Sequence, residues 1–209
     1  MPAEEKASYC SVDQNSKCRV YTRTNNYSNE DTHYWRDTST HYCHPLEDYL
    51  PFWPAKPARY REVVSAYTVE TKKLITKISD VIISEGLGFE KEYLGGELSK
   101  VQKLSDGKWI GVEPLPNAFL VFIGCQLQII SNGKLKSVIH RAVTNSKQAR
   151  ICVCTFVIPS SDCHIESASH LVNESTKIPL YKGYQYKEFL HTYILNHGDF
   201  EAVLQFYKL

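Results

Sequence analysis

The hydrophobic pattern changes character along the chain and predicts three regions of different structure. Residues 1–50 are polar, rich in Tyr, Thr and Asn, and show no sustained period of 2 or 3.6 residues, which predicts irregular structure. Four prolines between residues 45 and 57 then predict an extended connector. Apolar residues at helical spacing follow and predict a long helix over residues 58–84, with a shorter helix at residues 90–99. The stripe of the long helix comprises Tyr60, Val63, Val64, Tyr67, Leu74, Ile75, Ile78, Val81 and Ile82.

From Lys108 onwards the pattern is typical of short strands separated by turns. The predicted strands are 108–112, 119–123, 126–130, 134–141 and 149–158. Asn132 and Gly133 lie between two of these segments and predict a tight hairpin, since a type I′ turn needs positive φ at both central residues. A final helix is predicted at Tyr186–Leu195. Helices followed by antiparallel strands define an α+β protein, although five strands are fewer than the about eight that a jelly roll needs.

Composition and charge argue against nucleic-acid and membrane binding and indicate the cellular compartment. The formal net charge is +1, so the chain lacks the basic surface of a nucleic-acid-binding protein. The longest apolar run, 118–123, is far too short to span a membrane. Seven cysteines without a CxxC motif, after a polar N-terminus, indicate free thiols in a reducing compartment. We therefore expect a cytoplasmic protein that binds neither nucleic acid nor membrane.

One histidine and one arginine in the strand region could share a cavity. His140 ends one predicted strand, and Arg150 begins the next, ten positions later. A neutral imidazole is a good ligand for Fe, Zn or Cu, and a guanidinium can bind a carboxylate through two hydrogen bonds. From spacing alone a structural role is the commoner outcome for such a pair, so the spacing by itself does not assign a site.

A set of motifs around these two residues is more specific. The motifs are Asp106-Gly107-Lys108-Trp109, Pro114-Leu115-Pro116-Asn117-Ala118-Phe119, Ile123-Gly124, Gln126-Leu127-Gln128, Ser131-Asn132-Gly133, Lys136-Ser137 and His140-Arg141. Together they resemble the plant iron(II)/2-oxoglutarate-dependent dioxygenases. Residues 33–64 are similar to the hyoscyamine 6-dioxygenase-like and salicylate hydroxylase-like branches of that family. The resemblance implies a double-stranded β-helix (jelly roll) preceded by a long helix.

The resemblance also implies an activity and a set of cofactors. It predicts an oxidoreductase that hydroxylates or desaturates a small plant metabolite, with Fe(II), 2-oxoglutarate and ascorbate as reductant. By position, His140 corresponds to the distal iron-binding histidine and Arg150 to the arginine that pairs with the far carboxylate of 2-oxoglutarate. Cys152 replaces the serine of the R-x-S motif, and a thiol is a weaker hydrogen-bond donor than a hydroxyl. Cys125 stands where the family often has Asp or His, and we attach no function to it.

The largest departure from the family is an internal absence. Family members carry a Y-P-P-C-P segment and then an H-x-D motif before the D-G-K-W strand, whereas in this chain Gln102 is followed directly by Lys103 and the D-G-K-W motif. The proximal His and Asp ligands are therefore missing, and several core strands of the jelly roll are expected to be missing with them. The resulting organisation is a polar, irregular segment (1–57), a truncated helical layer (58–102), and a partial jelly roll with a C-terminal helix (103–209). We expect activity to be impaired or lost.

Other residues and other readings remain open. The sequence His197-Gly198-Asp199 has the H-x-D form, His164-Ile165-Glu166 is an H-x-E, and His41 and His44 are three apart. Such short matches are expected by chance in a chain with eight His. Cys152 and Cys154 could hold a soft metal with His140, although small inward-facing side chains are the simpler interpretation. Three hypotheses therefore stand: an oxidoreductase, a non-catalytic remnant that binds an acid or a partner, and the product of a skipped exon or faulty gene model.

Overall fold

The structure of the chain, a computed structural model, combines helices with short antiparallel strands. It describes residues 16–22, 36–78, 102–105, 108–112, 116–143, 147, 149–172 and 178–209. The chain divides into two units, Met1–Leu74 and Ile75–Leu209. The predicted mixture of helix and sheet is confirmed. Within the described ranges, no helix is long and apolar enough to cross a membrane.

Two strands occur in the N-terminal segment, where the prediction of irregular structure was wrong. Strand β1 (Cys18–Thr22) pairs in antiparallel register with β2 (Asp37–His41), so that Cys18 lies opposite His41. Val20 is the buried residue of β1. A five-residue strand is too short to establish a period of 2, and its partner lies well along the chain, so the local pattern could not reveal the pair.

The prediction of an extended connector at 45–57 was also wrong in part. A short helix, α1 (Leu46–Tyr49), is followed by a 3-10 turn at Leu50–Phe52. Pro45 is the residue before α1, and Pro51 lies in the first positions of the 3-10 turn. Proline is compatible with these positions because the first N–H groups of a helix have no partner within it. The prolines therefore begin helical turns and do not prevent them.

Trp53 is the centre of the first unit. Its side chain is 1% exposed, and its Nε1 donates a hydrogen bond of 2.8 Å to the carbonyl oxygen of Tyr42. The Trp53 carbonyl oxygen accepts a hydrogen bond from Arg61 Nε at 2.9 Å. The first hydrogen bond satisfies the buried indole N–H, which would be unfavourable without an acceptor, and the second satisfies the backbone carbonyl.

The long helix is confirmed as far as the structure describes it. Helix α2 (Tyr60–Ile78) begins after Pro57, whose carbonyl oxygen accepts a hydrogen bond from Tyr60 N at 2.8 Å. The predicted residues 79–84, and the second predicted helix at 90–99, lie outside the described residues. Ile75 is buried as expected, whereas Val63 is 53% exposed, so the apolar stripe is narrower than predicted.

A three-stranded antiparallel sheet occupies part of the second unit. It contains β3 (Gln102–Ser105), β4 (Lys108–Gly111) and β5 (His140–Arg141), in the order β4-β3-β5. The predicted strand at 108–112 is thus confirmed. Gln102 pairs with Gly111 on one side and with Arg141 on the other. Strand β3 is therefore the central strand, and it runs without a break from Gln102 into Lys103.

The segment predicted as a strand at 126–130 is a helix, α3 (Cys125–Ile130). Its buried residues Cys125, Ile129 and Ile130 lie four and five positions apart, which places them on one helical face. Short apolar runs are ambiguous between strand and helix, and in this case the helix buries the apolar residues. Asn132 (φ 48°) and Gly133 (φ 77°) do have the predicted positive φ, but they end this helix and do not join two strands.

Side-chain hydrogen bonds explain why the predicted strand at 134–141 shrinks to His140–Arg141. The N–H of Leu135 donates to Ser131 Oγ at 3.0 Å, and the N–H of Ser137 donates to Gln128 Oε1 at 2.8 Å. Backbone groups that bond locally in this way are not available for a strand ladder. Asn132 links two more distant segments, since its amide donates to the Leu171 carbonyl and its Oδ1 accepts from Leu180 N.

The predicted strands at 119–123 and 149–158 are also wrong. Both segments have no assigned strand in the structure, and neither pairs with any other described part of the chain. A strand requires a neighbour to satisfy its N–H and C=O groups, so apolar and β-branched residues alone are not sufficient. The apolar side chains of 149–158 are largely exposed, including Ile151, whereas in 119–123 Phe119 and Val121 are exposed and the other three side chains are half-buried.

The C-terminal part forms an aromatic core. Strand β6 (His164–Ile165) pairs with β7 (Tyr184–Gln185), and two helices follow, α4 (Tyr186–Leu195) and α5 (Phe200–Tyr207). Helix α4 has the predicted bounds, whereas α5 was not predicted. The rings of Tyr184 and Tyr207 lie 4.3 Å apart, and Phe189 packs against both. Val203 of α5 is fully buried in the same cluster.

Helix α5 depends on its N-terminal cap, which gives a test of this core. Asp199 Oδ1 accepts hydrogen bonds from Glu201 N at 2.9 Å and from Ala202 N at 3.1 Å. We expect Asp199→Ala to lower the free energy of unfolding by about 1 kcal/mol. Asp199→Asn, which keeps the acceptor, should have a smaller effect. Urea denaturation of both variants measures the difference, and equal midpoints for the two would contradict the role of the cap.

Candidate iron and cosubstrate site

The ring of His140 is positioned by a backbone carbonyl and by an aromatic neighbour. His140 lies in β5, where its backbone pairs with that of Lys103 in β3. Its Nδ1 is 3.0 Å from the carbonyl oxygen of Val138. A carbonyl oxygen only accepts hydrogen bonds, so Nδ1 carries the proton and Nε2 keeps its lone pair. The imidazole is exposed, and the Phe122 ring stacks on it at 4.3 Å, which holds its orientation.

Arg150 and Cys152 are close together in the sequence and lie outside the strand that contains His140. Both side chains are exposed, in the segment 149–158 that pairs with no described strand. Arg150 and Cys152 are two positions apart in this segment. Among the described residues, no hydrogen bond or ring contact joins either of them to His140. The structure therefore places the three predicted residues without assembling them into one site.

The other histidines weighed as ligands have local structural explanations. His164 Nε2 is 3.4 Å from Glu166 Oε2, and both side chains are exposed on the surface of β6. His197 has φ 51° in the turn between α4 and α5, and Asp199 is occupied as the cap of α5. Across the described ranges, no group of three His, Cys, Asp or Glu side chains could hold a metal ion. These matches to H-x-D and H-x-E do not complete an iron site.

The cysteines differ in their surroundings. Cys125 begins α3 and is buried, and burial raises the pKa of its thiol to about 11. A buried neutral thiol acts as a small apolar core residue, which agrees with our assigning it no function. Cys152 and Cys154 are exposed and are therefore not the inward-facing side chains that we expected.

Two contacts around His140 were not predicted from the sequence. Phe122 stacks on the imidazole, and the Arg141 guanidinium lies 4.0 Å from the centre of the Trp109 ring. Both aromatic residues belong to predicted strands, but a strand pattern does not say which ring faces which side chain. The contact of Arg141 with Trp109 depends on how β4 and β5 flank β3, which is a property of the folded sheet, and Phe122 reaches His140 from a segment outside that sheet.

The comparison with known proteins identifies the family. Residues 92–159 match the 2OG-Fe(II) oxygenase superfamily. The chain is 34% identical to hyoscyamine 6-dioxygenase of Hyoscyamus niger, over 100% of this chain and 75% of that protein. It is 31% identical to flavanone 3-dioxygenase 2 of Oryza sativa subsp. japonica, over 100% of this chain and 72% of that protein. The chain therefore belongs to the 2OG-Fe(II) oxygenase superfamily, whose members are oxidoreductases that use Fe(II) and 2-oxoglutarate.

Solved structures agree with this assignment. The crystal structure of JOX2 in complex with 2OG, Fe and JA superimposes with a TM-score of 0.80 at 25% identity, over 100% of this chain and 74% of JOX2. The crystal structure of a rice dioxygenase for auxin oxidation gives a TM-score of 0.64 at 16% identity, over 98% and 80% of the two chains, which shows a shared fold. The predicted family is confirmed, together with its use of Fe(II) and 2-oxoglutarate.

The exposed segment 149–158 generates a prediction about association. Ile151 is 96% exposed and Phe156 is 80% exposed, and unpaired apolar strands tend to pair with other chains. We expect Ile151→Lys to raise the protein concentration at which light scattering appears. The control is Leu195→Lys, at another exposed apolar residue, 64% exposed at the end of α4. If both substitutions reduce scattering equally, association does not depend on this segment.

Proposed function

We propose that this chain is a 2-oxoglutarate/Fe(II) dioxygenase of the plant type with an incomplete iron site. His140 is the remaining iron ligand, and Arg150 with Cys152 is the contact for the cosubstrate. The substrate class is a small organic metabolite, and the reaction is hydroxylation or desaturation. Activity is impaired because the segment with the H-x-D motif is absent. The observation that carries this proposal is the alignment with hyoscyamine 6-dioxygenase, which is 259 residues long although this chain has only 209 residues.

The geometry of His140 supports its role as a ligand. The Val138 carbonyl accepts the Nδ1 proton, which leaves the Nε2 lone pair directed away from the backbone. Metal-binding histidines commonly donate their second N–H to such an acceptor, because it holds the ring and its tautomer. One ligand position therefore fits iron. The ligand set as a whole does not fit, since the 2-His-1-carboxylate site of non-haem iron enzymes needs two further side chains.

The length of the alignments supports an internal deletion. The alignment with hyoscyamine 6-dioxygenase is 259 residues long and includes 100% of this chain, which has only 209 residues. At least 50 positions of the relative, the difference between these two lengths, therefore face no residue of this chain. The alignment with flavanone 3-dioxygenase 2 is 250 residues long and also includes 100% of this chain. Gaps of this size accommodate several strands of about six residues with their turns.

The exposed strand-like segments support the same deletion. Residues 119–123 and 149–158 carry the apolar and β-branched residues of buried strands but pair with no described strand. A missing neighbour explains both features, because an absent strand leaves backbone groups unpaired and apolar side chains exposed. We therefore propose that residues 103–209 form a partial jelly roll with several core strands missing. In this organisation, residues 58–102 form its helical layer and residues 1–57 an N-terminal segment.

Iron binding tests the proposal directly. We expect no stoichiometric Fe(II) uptake in anaerobic titration calorimetry, because one imidazole holds a metal ion weakly against water. His140→Ala should abolish whatever binding remains, whereas His164→Ala, at another exposed histidine, should leave it unchanged. Tight uptake of one Fe(II) per chain that requires His140 would mean that other residues complete the site.

Restoring the family segment is the matched gain-of-function experiment. Because β3 runs without a break from Gln102 to Ser105, the insertion belongs directly before Gln102 and not between Gln102 and Lys103. The restored chain should show stoichiometric iron uptake that His140→Ala removes, and reduced light scattering. A cooperative thermal transition of the unmodified chain, with slow amide exchange in residues 119–130, would show instead that the partial fold is self-sufficient.

The cosubstrate contact has its own test. Replacing the weakly donating thiol by a hydroxyl in Cys152→Ser should strengthen 2-oxoglutarate binding by about 1 kcal/mol, or roughly five-fold in Kd. The control is Cys154→Ser, at the next exposed cysteine along the chain. Binding is measured by NMR titration of each variant. Unchanged or weaker binding in Cys152→Ser would exclude Cys152 from the cosubstrate contact.

A further inference from the structure

A cysteine, a histidine and a tyrosine form a chain of hydrogen bonds in the first unit. Cys43 Sγ lies 3.5 Å from His41 Nδ1, and His41 Nε2 lies 2.8 Å from Tyr60 Oη. His41 ends β2 and Tyr60 begins α2, so the packing of strand against helix brings them together. The Thr68 hydroxyl, two turns further along α2, also hydrogen-bonds Cys43.

The imidazole of His41 is held on several sides. Its ring packs on the buried Trp53 ring with centroids 4.2 Å apart, and the Tyr60 ring meets it edge-on at 5.9 Å. The Ser39 hydroxyl hydrogen-bonds Tyr60, which stabilises the position of the phenol oxygen. A base that is oriented by a third group, with a nucleophile at its other nitrogen, is the arrangement that activates serine and cysteine nucleophiles.

The resting state of this group is neutral. Burial raises the pKa of the Cys43 thiol and lowers the pKa of the His41 imidazole. The thiol also has a weak alternative acceptor, since Sγ lies 3.7 Å from the His41 carbonyl oxygen. A neutral imidazole can still act as a base during a reaction, provided that the nitrogen facing the thiol is unprotonated. When the Tyr60 oxygen accepts a hydrogen bond from Nε2–H, the single proton of the neutral ring is on Nε2. Nδ1, which faces the thiol, is then unprotonated.

We propose that Cys43 is a nucleophilic thiol, that His41 is its general base and that Tyr60 positions the base, and that the site reacts with small hydroperoxides. The sulfur attacks the terminal oxygen of the hydroperoxide while its proton passes to His41 Nδ1. The S–O bond forms as the O–O bond breaks, and His41 returns the proton to the leaving oxygen. The products are Cys43 sulfenic acid and an alcohol, or water from hydrogen peroxide. Sulfur is oxidised by two electrons and the peroxide is reduced by two.

Cys43 is half-buried, which favours a small electrophile such as hydrogen peroxide over a larger one. The Thr68 hydroxyl stabilises negative charge on sulfur as the proton leaves, because a hydrogen bond to the charged form favours it. This site is independent of the proposed iron site, which lies in the second unit.

The test compares two cysteines within one molecule. The full chain is treated with hydrogen peroxide, sulfenic acid is trapped with dimedone, and mass spectrometry follows each cysteine. Cys163 is the matched control, since it is also half-buried and its sulfur contacts the His164 carbonyl oxygen at 3.7 Å. We expect Cys43 to react at least about ten-fold faster than Cys163. This factor is smaller than the rate enhancement that a general base usually provides. A Cys43 rate equal to or below that of Cys163 overturns the proposal without any variant.

Variants then separate the base from the packing. His41→Phe keeps a ring against Trp53 and should lower the Cys43 rate to that of Cys163. In His41→Gly, imidazole added to the buffer should restore the rate, which a purely structural histidine would not allow. Tyr60→Phe should shift the His41 tautomer, as read from imidazole 15N chemical shifts, and slow Cys43. An unchanged rate in His41→Phe, or no rescue by imidazole, contradicts the role of His41 as base.

Discussion

Every strand needs a neighbour for its backbone N–H and C=O groups, and this requirement divides the second unit into ordered and exposed parts. Strands β3, β4 and β5 satisfy one another in a small sheet. Residues 149–158 have the composition of a strand, yet they form no strand with the described residues and expose Ile151 almost completely. The difference between these segments lies in the presence of a partner and not in their own residues.

The same requirement determines the state of the candidate site. Strand β5 fixes the His140 backbone because it pairs with β3, and the Val138 carbonyl and the Phe122 ring then fix its imidazole. Arg150 and Cys152 belong to the segment that pairs with no described strand, so no comparable contact with a described residue places them relative to His140. A site assembled from several strands is only as well defined as the sheet that joins those strands.

Residues 126–133 illustrate how polar groups can organise a fold. Gln128, Ser131 and Asn132 use their side chains to bond backbone groups of residues up to 48 positions away. Each of these bonds satisfies a backbone group, and together they connect α3 to the segments before β5 and before β7. Because the aromatic core around Tyr184 and Tyr207 packs on the buried side of α3, the polar and apolar contacts reinforce each other.

The sequence by itself determined the family, the helix at Tyr186–Leu195, the long helix as far as Ile78 and the strand at 108–111, because each rests on a local period or on a dense set of motifs. It also indicated the positive φ of Asn132 and Gly133, although not the structure that they end. Tertiary structure decided the rest. Residues 126–130 became a helix because that conformation buries Cys125, Ile129 and Ile130 on one face. Residues 149–158 remained unpaired because a strand forms between segments and not within one. The contact of His41 with Tyr60 likewise needed β2 to pack against α2, since no pattern along the chain brings residues 41 and 60 together.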